Sequence, residues 1–218
     1  MNAIAIVKRL ALGIIISSIV VILPVAGNAA MFFSLHLWIV LTIGILASVF
    51  QPSYNPFTIA SRIGDKGTGA QIIWSVYLTQ LAAMLEAAYL RYPRSVEWDS
   101  VAVVALAVAL FGLFARTWAV FVLGDFFTMH IAVGENHGIV RAGPYAVIRH
   151  PSYLGAVLLY WALPVFLHAW LAAVAAAIIL PFAFVRRIHV EETTLMEKFG
   201  AEYKSYCAKT WKILPGIW

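Results

Sequence analysis

Charged residues are scarce in this chain. They make up 11% of its 218 residues, whereas 63% are hydrophobic. About a quarter of the residues in a soluble domain are charged, and roughly half are apolar. The composition therefore excludes an ordinary soluble domain, and several apolar runs approach the ~20 residues that a helix needs to cross a bilayer. We expect an integral membrane protein.

Cysteine is nearly absent as well, since Cys207 is the only one. An internal disulfide is therefore excluded. The net charge of +5 does not indicate nucleic-acid binding, because basic residues beside apolar runs set membrane orientation or meet anionic lipid head groups. No metal site is predicted, because the histidines lack the tight spacing of a ligand set.

Six apolar runs predict an all-α, polytopic bundle of about six transmembrane helices. The first run is interpreted as half of a transmembrane hairpin and not as a cleaved signal. Lys8 and Arg9 place the N-terminus in the cytoplasm, and six crossings return the basic tail to that side. The runs are Leu10–Ala26, Met31–Phe50, Ala70–Leu90, Ser100–Leu123, Tyr153–Leu167 and Ala169–Val185.

The last two runs are predicted to form a helical hairpin. From Tyr153 to Arg187 the chain would extend about 52 Å as one helix, and a hydrocarbon core is about 30 Å thick. The stretch "LPVFLHAW" offers a break through Pro164 and His168. After the hairpin, Leu195, Phe199, Tyr203 and Tyr206 recur on one helical face, which predicts an amphipathic C-terminal helix at the membrane surface.

Polar residues collect where the hairpin would begin and end. Arg149 and His150 stand just before an apolar run, where charge is costly unless it is used. Arg187 and Glu191 lie four residues apart on one face of the returning helix. Spacing alone allows either a surface salt bridge or a functional pair. The hairpin brings all four residues to the same membrane boundary.

Six short motifs in this region resemble the isoprenylcysteine carboxyl methyltransferase family. They are "HGIV" at 137–140, "GPY" at 143–145, "RHPSYLG" at 149–155, "RRIHVEE" at 186–192, "FGAEYKSY" at 199–206 and "LPG" at 214–216. The resemblance covers roughly Ser100 to Trp218. It implies a catalytic methyltransferase core at 100–218, preceded by N-terminal transmembrane helices at 1–99, within one membrane-embedded domain.

The resemblance also implies S-adenosylmethionine as the cofactor, bound at the cytoplasmic face, and a lipophilic or prenylated acceptor. Arg187 and His150 are the implied catalytic residues, and Arg187 would face the acceptor. A carboxylate acceptor is already ionised at neutral pH, and a guanidinium can hold it bidentately. The implied cofactor-binding residues are His130, His137, Gly138, Ile139, Val140, Tyr145, His150, Pro151, Ser152, Tyr153 and Glu191.

Three alternatives stay open on the sequence alone. A phospholipid amine or a small thiol could accept the methyl group, and an amine would need a base such as Glu192 or His150. A membrane sterol-type reductase with a nicotinamide cofactor has a similar C-terminal region. A membrane binding or transport protein would use ionisable residues inside its spans, for which Glu86 and Arg116 are the candidates.

Overall fold

The computed structural model describes residues 3–50, 66–127 and 138–218, and every regular element in these ranges is helical. Its longer connections contain short 3₁₀ turns, of which Gly143–Ala146 matters most for the site. The helices are α1 (Ala3–Val21), α2 (Ala29–Phe32), α3 (Leu35–Phe50), α4 (Thr68–Tyr89), α5 (Ser100–Leu123), α6 (Pro151–Phe166), α7 (Trp170–Phe199) and α8 (Ala201–Cys207).

The predicted polytopic helical bundle is confirmed. Among the described residues, three helices, α4, α5 and α7, are long and apolar enough to cross a membrane. Of three shorter apolar stretches, one begins in α1 and the others coincide with α3 and α6. Large apolar side chains point outward from the bundle, including Phe114 and Phe121 on α5 and Phe182 on α7. In water this surface would be costly, but in a bilayer it contacts lipid tails.

The hairpin prediction is confirmed, although the break lies later than Pro164. Helix α6 continues through Pro164 to Phe166, and the chain reverses at His168, which has a φ of 50°. Proline cannot donate to the carbonyl four residues earlier, which here is the carbonyl of Tyr160. Gln80 of α4 donates to that carbonyl at 2.7 Å instead. A neighbouring helix thus satisfies the freed group, so α6 does not end there.

Helix α7 is longer than the sequence predicts. It runs for 30 residues without a break after Val185 and ends at Gly200, whose φ is 50°. The expected amphipathic segment is therefore divided between the end of α7 and the short helix α8. At about 45 Å, α7 exceeds a ~30 Å hydrocarbon core. Its charged C-terminal part, from Arg186 onward, consequently stands beyond the apolar layer.

Two glycines let α5 and α6 pack backbone against backbone. A Cβ on Gly112 would lie 2.6 Å from the Leu159 nitrogen, and one on Gly155 would lie 2.6 Å from the Arg116 nitrogen. Small residues at such positions are typical of close helix pairs in membranes. The contact brings Arg116 to the first turn of α6, where its Nη1 donates to the Ser152 carbonyl at 2.9 Å.

The helix ends define two ends of the bundle. At the far end, α4 finishes, α5 begins and α6 turns into α7. There Glu86 accepts hydrogen bonds from the Leu171 and Ala172 nitrogens at 3.1 and 2.8 Å, and from Arg91 at 3.0 Å. A carboxylate at a helix N-terminus is favourable. At the other end, called the site end, α4 and α6 begin and the charged C-terminal part of α7 projects.

Candidate functional site

The chain enters the site through the 3₁₀ turn Gly143–Ala146. Gly143 has a φ of 56°, and a Cβ at that position would meet Val122 at 3.1 Å, so both conformation and space favour glycine. Tyr145 is buried at 5% exposure, and its carbonyl accepts a hydrogen bond from the Tyr206 hydroxyl at 2.7 Å. The turn is thereby fixed to α8.

Residues 147–150 then pair with a segment from much later in the chain. Ile148 and Trp211 form an isolated parallel bridge. The Arg149 nitrogen donates to the Trp211 carbonyl at 2.8 Å, and the His150 nitrogen donates to the Lys212 carbonyl at 3.0 Å. This pairing fixes the backbone of His150 just before α6. Nothing in the sequence pattern indicated it.

Tyr153 lies between Arg187 and Glu191. Its hydroxyl donates to Glu191 Oε2 at 2.7 Å and accepts from Arg187 Nε at 3.4 Å. Arg187 is 5% exposed and also donates to Thr68 of α4 at 3.1 Å. The Glu191 side chain is 31% exposed. One helix thus presents a buried cation and a partly open carboxylate, joined through a phenol of another helix.

Glu192 is the centre of a second cluster. Its Oε1 lies 2.8 Å from Arg149 Nε and 3.2 Å from His150 Nε2, and its Oε2 lies 3.3 Å from Lys212 Nζ. Arg149 donates further to the carbonyls of Cys207 and Thr210. These contacts bind the start of α6, the end of α7 and the 207–212 segment together. They explain why an arginine is tolerated at this boundary.

Ionisation at the site follows from burial and from these partners. Burial raises the pKa of Tyr145 well above its ordinary value and the pKa of Tyr206 to about 12. Both phenols therefore stay protonated near neutrality. Burial also raises the pKa of the Cys207 thiol, which argues against a thiolate nucleophile. For Arg149, burial is the largest single influence and lowers the pKa, but the hydrogen bond to Glu192 and the attraction of nearby acidic groups, Glu192 first, together outweigh burial and raise the pKa.

Most of the predicted site residues lie close together in the structure. His150 and Tyr153 stack with ring centroids 5.5 Å apart, and His150 Nδ1 lies 3.8 Å from Glu191 Oε2. Pro151 and Ser152 are buried in the first turn of α6. Gly138 is exposed, Ile139 and Val140 are half-buried, and all three lie in the non-helical approach to the turn. His130 and His137 lie outside the described residues.

Sequence reasoning missed three contributors to this arrangement. Thr68 reaches Arg187 from α4, and Lys212 reaches Glu192 from a segment without a recognisable pattern. The sequence suggested that Glu192 is either solvated or a base for an amine acceptor, whereas the structure places it beside Arg149, His150 and Lys212. Its place after Glu191 in "HVEE" was the available signal. Within the described ranges, no three histidine, cysteine or acidic residues converge as metal ligands.

These features define a multi-pass membrane protein with a polar site where a helical hairpin meets the membrane boundary. A sequence model of the isoprenylcysteine carboxyl methyltransferase (ICMT) family matches residues 103–197. A probable protein-S-isoprenylcysteine O-methyltransferase of Oryza sativa subsp. indica is 33% identical, over 79% of this chain and 88% of that protein. The chain therefore belongs to the isoprenylcysteine carboxyl methyltransferase family, and it is a membrane methyltransferase.

Two further comparisons agree. The Homo sapiens protein-S-isoprenylcysteine O-methyltransferase is 33% identical, over 57% of this chain and 44% of its own length. The solved structure of the eukaryotic intramembrane Ras methyltransferase ICMT matches 86% of this chain and 80% of its own, with a TM-score of 0.56 and 18% identity. That likeness shows the fold. Family membership implies the use of S-adenosylmethionine in general and does not favour the alternative activities.

Proposed function

We propose that this chain methylates the carboxylate of a prenylated cysteine, with S-adenosylmethionine as donor, at the site end of the bundle. The observation that carries the proposal is the Tyr153 hydroxyl between Arg187 and Glu191. Through this hydroxyl, Arg187, which can bind an anion, and Glu191, which can bind a cation, are held next to each other at a membrane boundary. The relatives are named as protein-S-isoprenylcysteine O-methyltransferases, which supports a prenylated cysteine as the acceptor.

Glu191 is proposed to bind the amino group of the cofactor. The Glu191 side chain is 31% exposed and is therefore more open to a ligand than Arg187. A carboxylate can form a charge-assisted hydrogen bond with an ammonium group. Tyr153 donates to it and so sets its orientation. His150, Pro151, Ser152 and Tyr145 would form the wall of the same pocket, with Gly138, Ile139 and Val140 along the approach. His130 and His137 keep their predicted cofactor role as a proposal.

Arg187 is proposed to bind the carboxylate of the acceptor. It is held from two sides, by Tyr153 and Thr68, so its guanidinium is already oriented before a ligand arrives. The bound cofactor supplies an electrophilic methyl group on a sulfonium. An ionised carboxylate attacks without a general base, so His150 serves as a positioning group, stacked on Tyr153 and held by Glu192.

The site is assigned to the residues that follow position 99, with one contribution from the preceding helices. Residues 100–218 are proposed as the catalytic core and residues 1–99 as its supporting helices. Thr68 of α4 touches Arg187, so the supporting helices also shape the acceptor side. A prenyl chain would lie among the helices in the bilayer, while the cofactor enters from the cytoplasm.

A methyl-transfer assay tests the activity. The purified protein in nanodiscs is incubated with radiolabelled S-adenosylmethionine and farnesylated N-acetylcysteine. We expect label in a product that releases methanol under mild base, because a carboxyl ester is base-labile. The methyl ester of the same acceptor is the control and should accept no label. Base-stable label in phosphatidylethanolamine would contradict the proposal and indicate an amine acceptor.

Cysteine labelling tests the proposed cytoplasmic position of the site. Ser205 on α8 and Glu97 before α5 are both exposed, at the site end and the far end. In a Cys207→Ser background, Ser205→Cys should react with an impermeant maleimide from the cytoplasmic side only. Glu97→Cys should react from the opposite side only. The reverse pattern would place the site outside, and labelling of both from one side would contradict a full crossing.

A further inference from the structure

The residues after α8 form a closed loop against the site. The nitrogens of Ile213 and Leu214 both donate to the Trp218 carbonyl at 3.1 Å, and the Trp218 nitrogen donates to the Leu214 carbonyl at 3.1 Å. We call residues 211–218 the terminal loop. Its backbone groups are hydrogen-bonded within the loop, which holds the loop backbone in place.

One side of the terminal loop is bonded to the site. Trp211 and Lys212 pair with residues 147–150, and Lys212 Nζ lies 3.3 Å from Glu192. The Lys212 ammonium also lies 4.9 Å from the centre of the Trp218 ring, which in turn is 6.5 Å from His189 of α7. The charge of Lys212 is therefore engaged by partners within the protein.

The terminal loop also carries large apolar side chains that the described part of the chain leaves exposed. Ile217 is 78% exposed, Trp211 47% and Leu214 43%. These three side chains within eight residues, here called the apolar patch, leave apolar surface exposed outside the spanning helices, and exposed apolar surface of this kind marks contact surfaces. The loop is paired with the residues just before α6, so it lies at the depth where that helix enters the apolar layer.

The charges around the patch select its partner. Lys204 and Lys209, on and after α8, are exposed. Tryptophan and aliphatic side chains flanked by lysines fit the head-group region of an anionic bilayer. Basic residues near such a surface are attracted to its anionic head groups.

We propose that the terminal loop docks into the anionic lipid surface on the site side of the membrane, with Ile217, Leu214 and Trp211 inserted among the head groups. The proposal is independent of the methyl acceptor. It commits to lipid of the same membrane as the occupant, because the loop pairs with the residues just before α6 and the exposed Lys204 and Lys209 precede it in the chain. The exposed acid on α8, Glu202, is paired with Arg141. A second copy of the chain and a soluble partner are competing occupants.

Fluorescence quenching in nanodiscs tests the docking. Ile217→Cys, made in a Cys207→Ser background, carries an environment-sensitive fluorophore. Lipids with a nitroxide at the head group or deep in the acyl chain serve as quenchers. In nanodiscs containing phosphatidylglycerol, we expect the head-group nitroxide to quench at least about threefold more than the deep one. The matched control is Glu197→Cys in the same background, exposed near the end of α7 where that helix stands beyond the apolar layer, and it should be quenched several-fold less.

A second variant examines the charge argument. Lys204→Gln combined with Lys209→Gln should lower the quenching of the Ile217 fluorophore in anionic nanodiscs toward the value in phosphatidylcholine alone. Equal quenching at Ile217→Cys and Glu197→Cys would overturn the proposal. A fluorophore shielded from both nitroxides would also overturn the proposal. If that shielding disappeared in nanodiscs that hold a single copy of the chain, the loop would be covered by a second copy. Quenching that ignores lipid charge would overturn the anionic preference.

Discussion

The two ends of the bundle both bury charged groups between helices, but they satisfy those groups differently. At the far end, both oxygens of Glu86 are occupied, and the residue is 5% exposed. At the site end, Glu191 keeps 31% of its side chain exposed while one oxygen holds Tyr153. The far network is closed and fastens α4 to α7. The site network is partly open, which leaves polar surface for a ligand.

The largest expected effect tests the open network. Arg187→Ala removes the cation proposed for the acceptor, so methyl transfer should fall about 10²- to 10³-fold, as when a positioned charge is lost at a reacting centre. Binding of S-adenosylhomocysteine should stay within about threefold by calorimetry, because its contacts are assigned elsewhere. Arg187→Lys keeps the charge without the planar guanidinium, so its methyl-transfer rate should lie between those of the unsubstituted protein and Arg187→Ala. Equal losses in binding and turnover would contradict this division.

The closed network should control stability. Glu86→Gln deprives two N-terminal amides of α7 and the Arg91 guanidinium of a charged acceptor. The free energy of unfolding should fall by about 2–3 kcal/mol, measured by chemical denaturation in detergent. Glu97→Gln, an exposed acid near the same end, should change it by less than about 0.5 kcal/mol. Loss of cofactor affinity in folded Glu86→Gln would show that the two ends are coupled. It would contradict the assignment of stability to the far end and of ligand binding to the site end.

Cofactor binding sharpens the role of Glu191. Glu191→Gln removes a negative charge from the open site, so S-adenosylhomocysteine should bind about 10- to 30-fold more weakly, or about 1.4–2 kcal/mol. Glu197→Gln is the matched control, since Glu197 is exposed on the same helix. An unchanged affinity for both variants would leave Glu191 a structural partner of Tyr153 only.

The smallest effect is expected from an ion pair that belongs to neither network. Arg141 and Glu202 lie 2.9 Å apart, but their side chains are 52% and 60% exposed. Solvent screens such pairs, so Arg141→Ala should change the free energy of unfolding by less than about 0.5 kcal/mol. Methyl transfer should remain near the unsubstituted value. A loss above tenfold would extend the site to α8.

The sequence predicted the spanning helices well because their length and composition are set by the bilayer. The hairpin at His168 followed from a mismatch between chain length and membrane thickness. The continuous course of α7 was not predicted, because the change from apolar to charged composition at Arg186 suggested the end of a helix. No helix-breaking residue stands there, so the helix continues. The group formed by His150, Tyr153 and Glu191 was predicted through motifs alone, and their functional roles stay predictions.

The remaining contacts depend on distant parts of the chain. Thr68 and Arg187 are 119 positions apart, and Gln80 is 80 positions from the carbonyl that it satisfies. No local pattern links such residues, since they meet only after the helices have packed. Lys212 belongs to the same group, because its partner is chosen by the pairing of residues 147–150 with 211–212.

The pairing of Arg149 has a consequence for biosynthesis. Its partners Glu192 and Thr210 lie 43 and 61 positions further along the chain. During translation, α6 therefore reaches the translocon with a guanidinium that has none of these partners yet. Only when the α6–α7 hairpin has inserted and the following segment has emerged can that charge be neutralised. A ribosome that stalls in between would leave an unneutralised arginine at the membrane entrance, a defect that quality-control proteases could recognise.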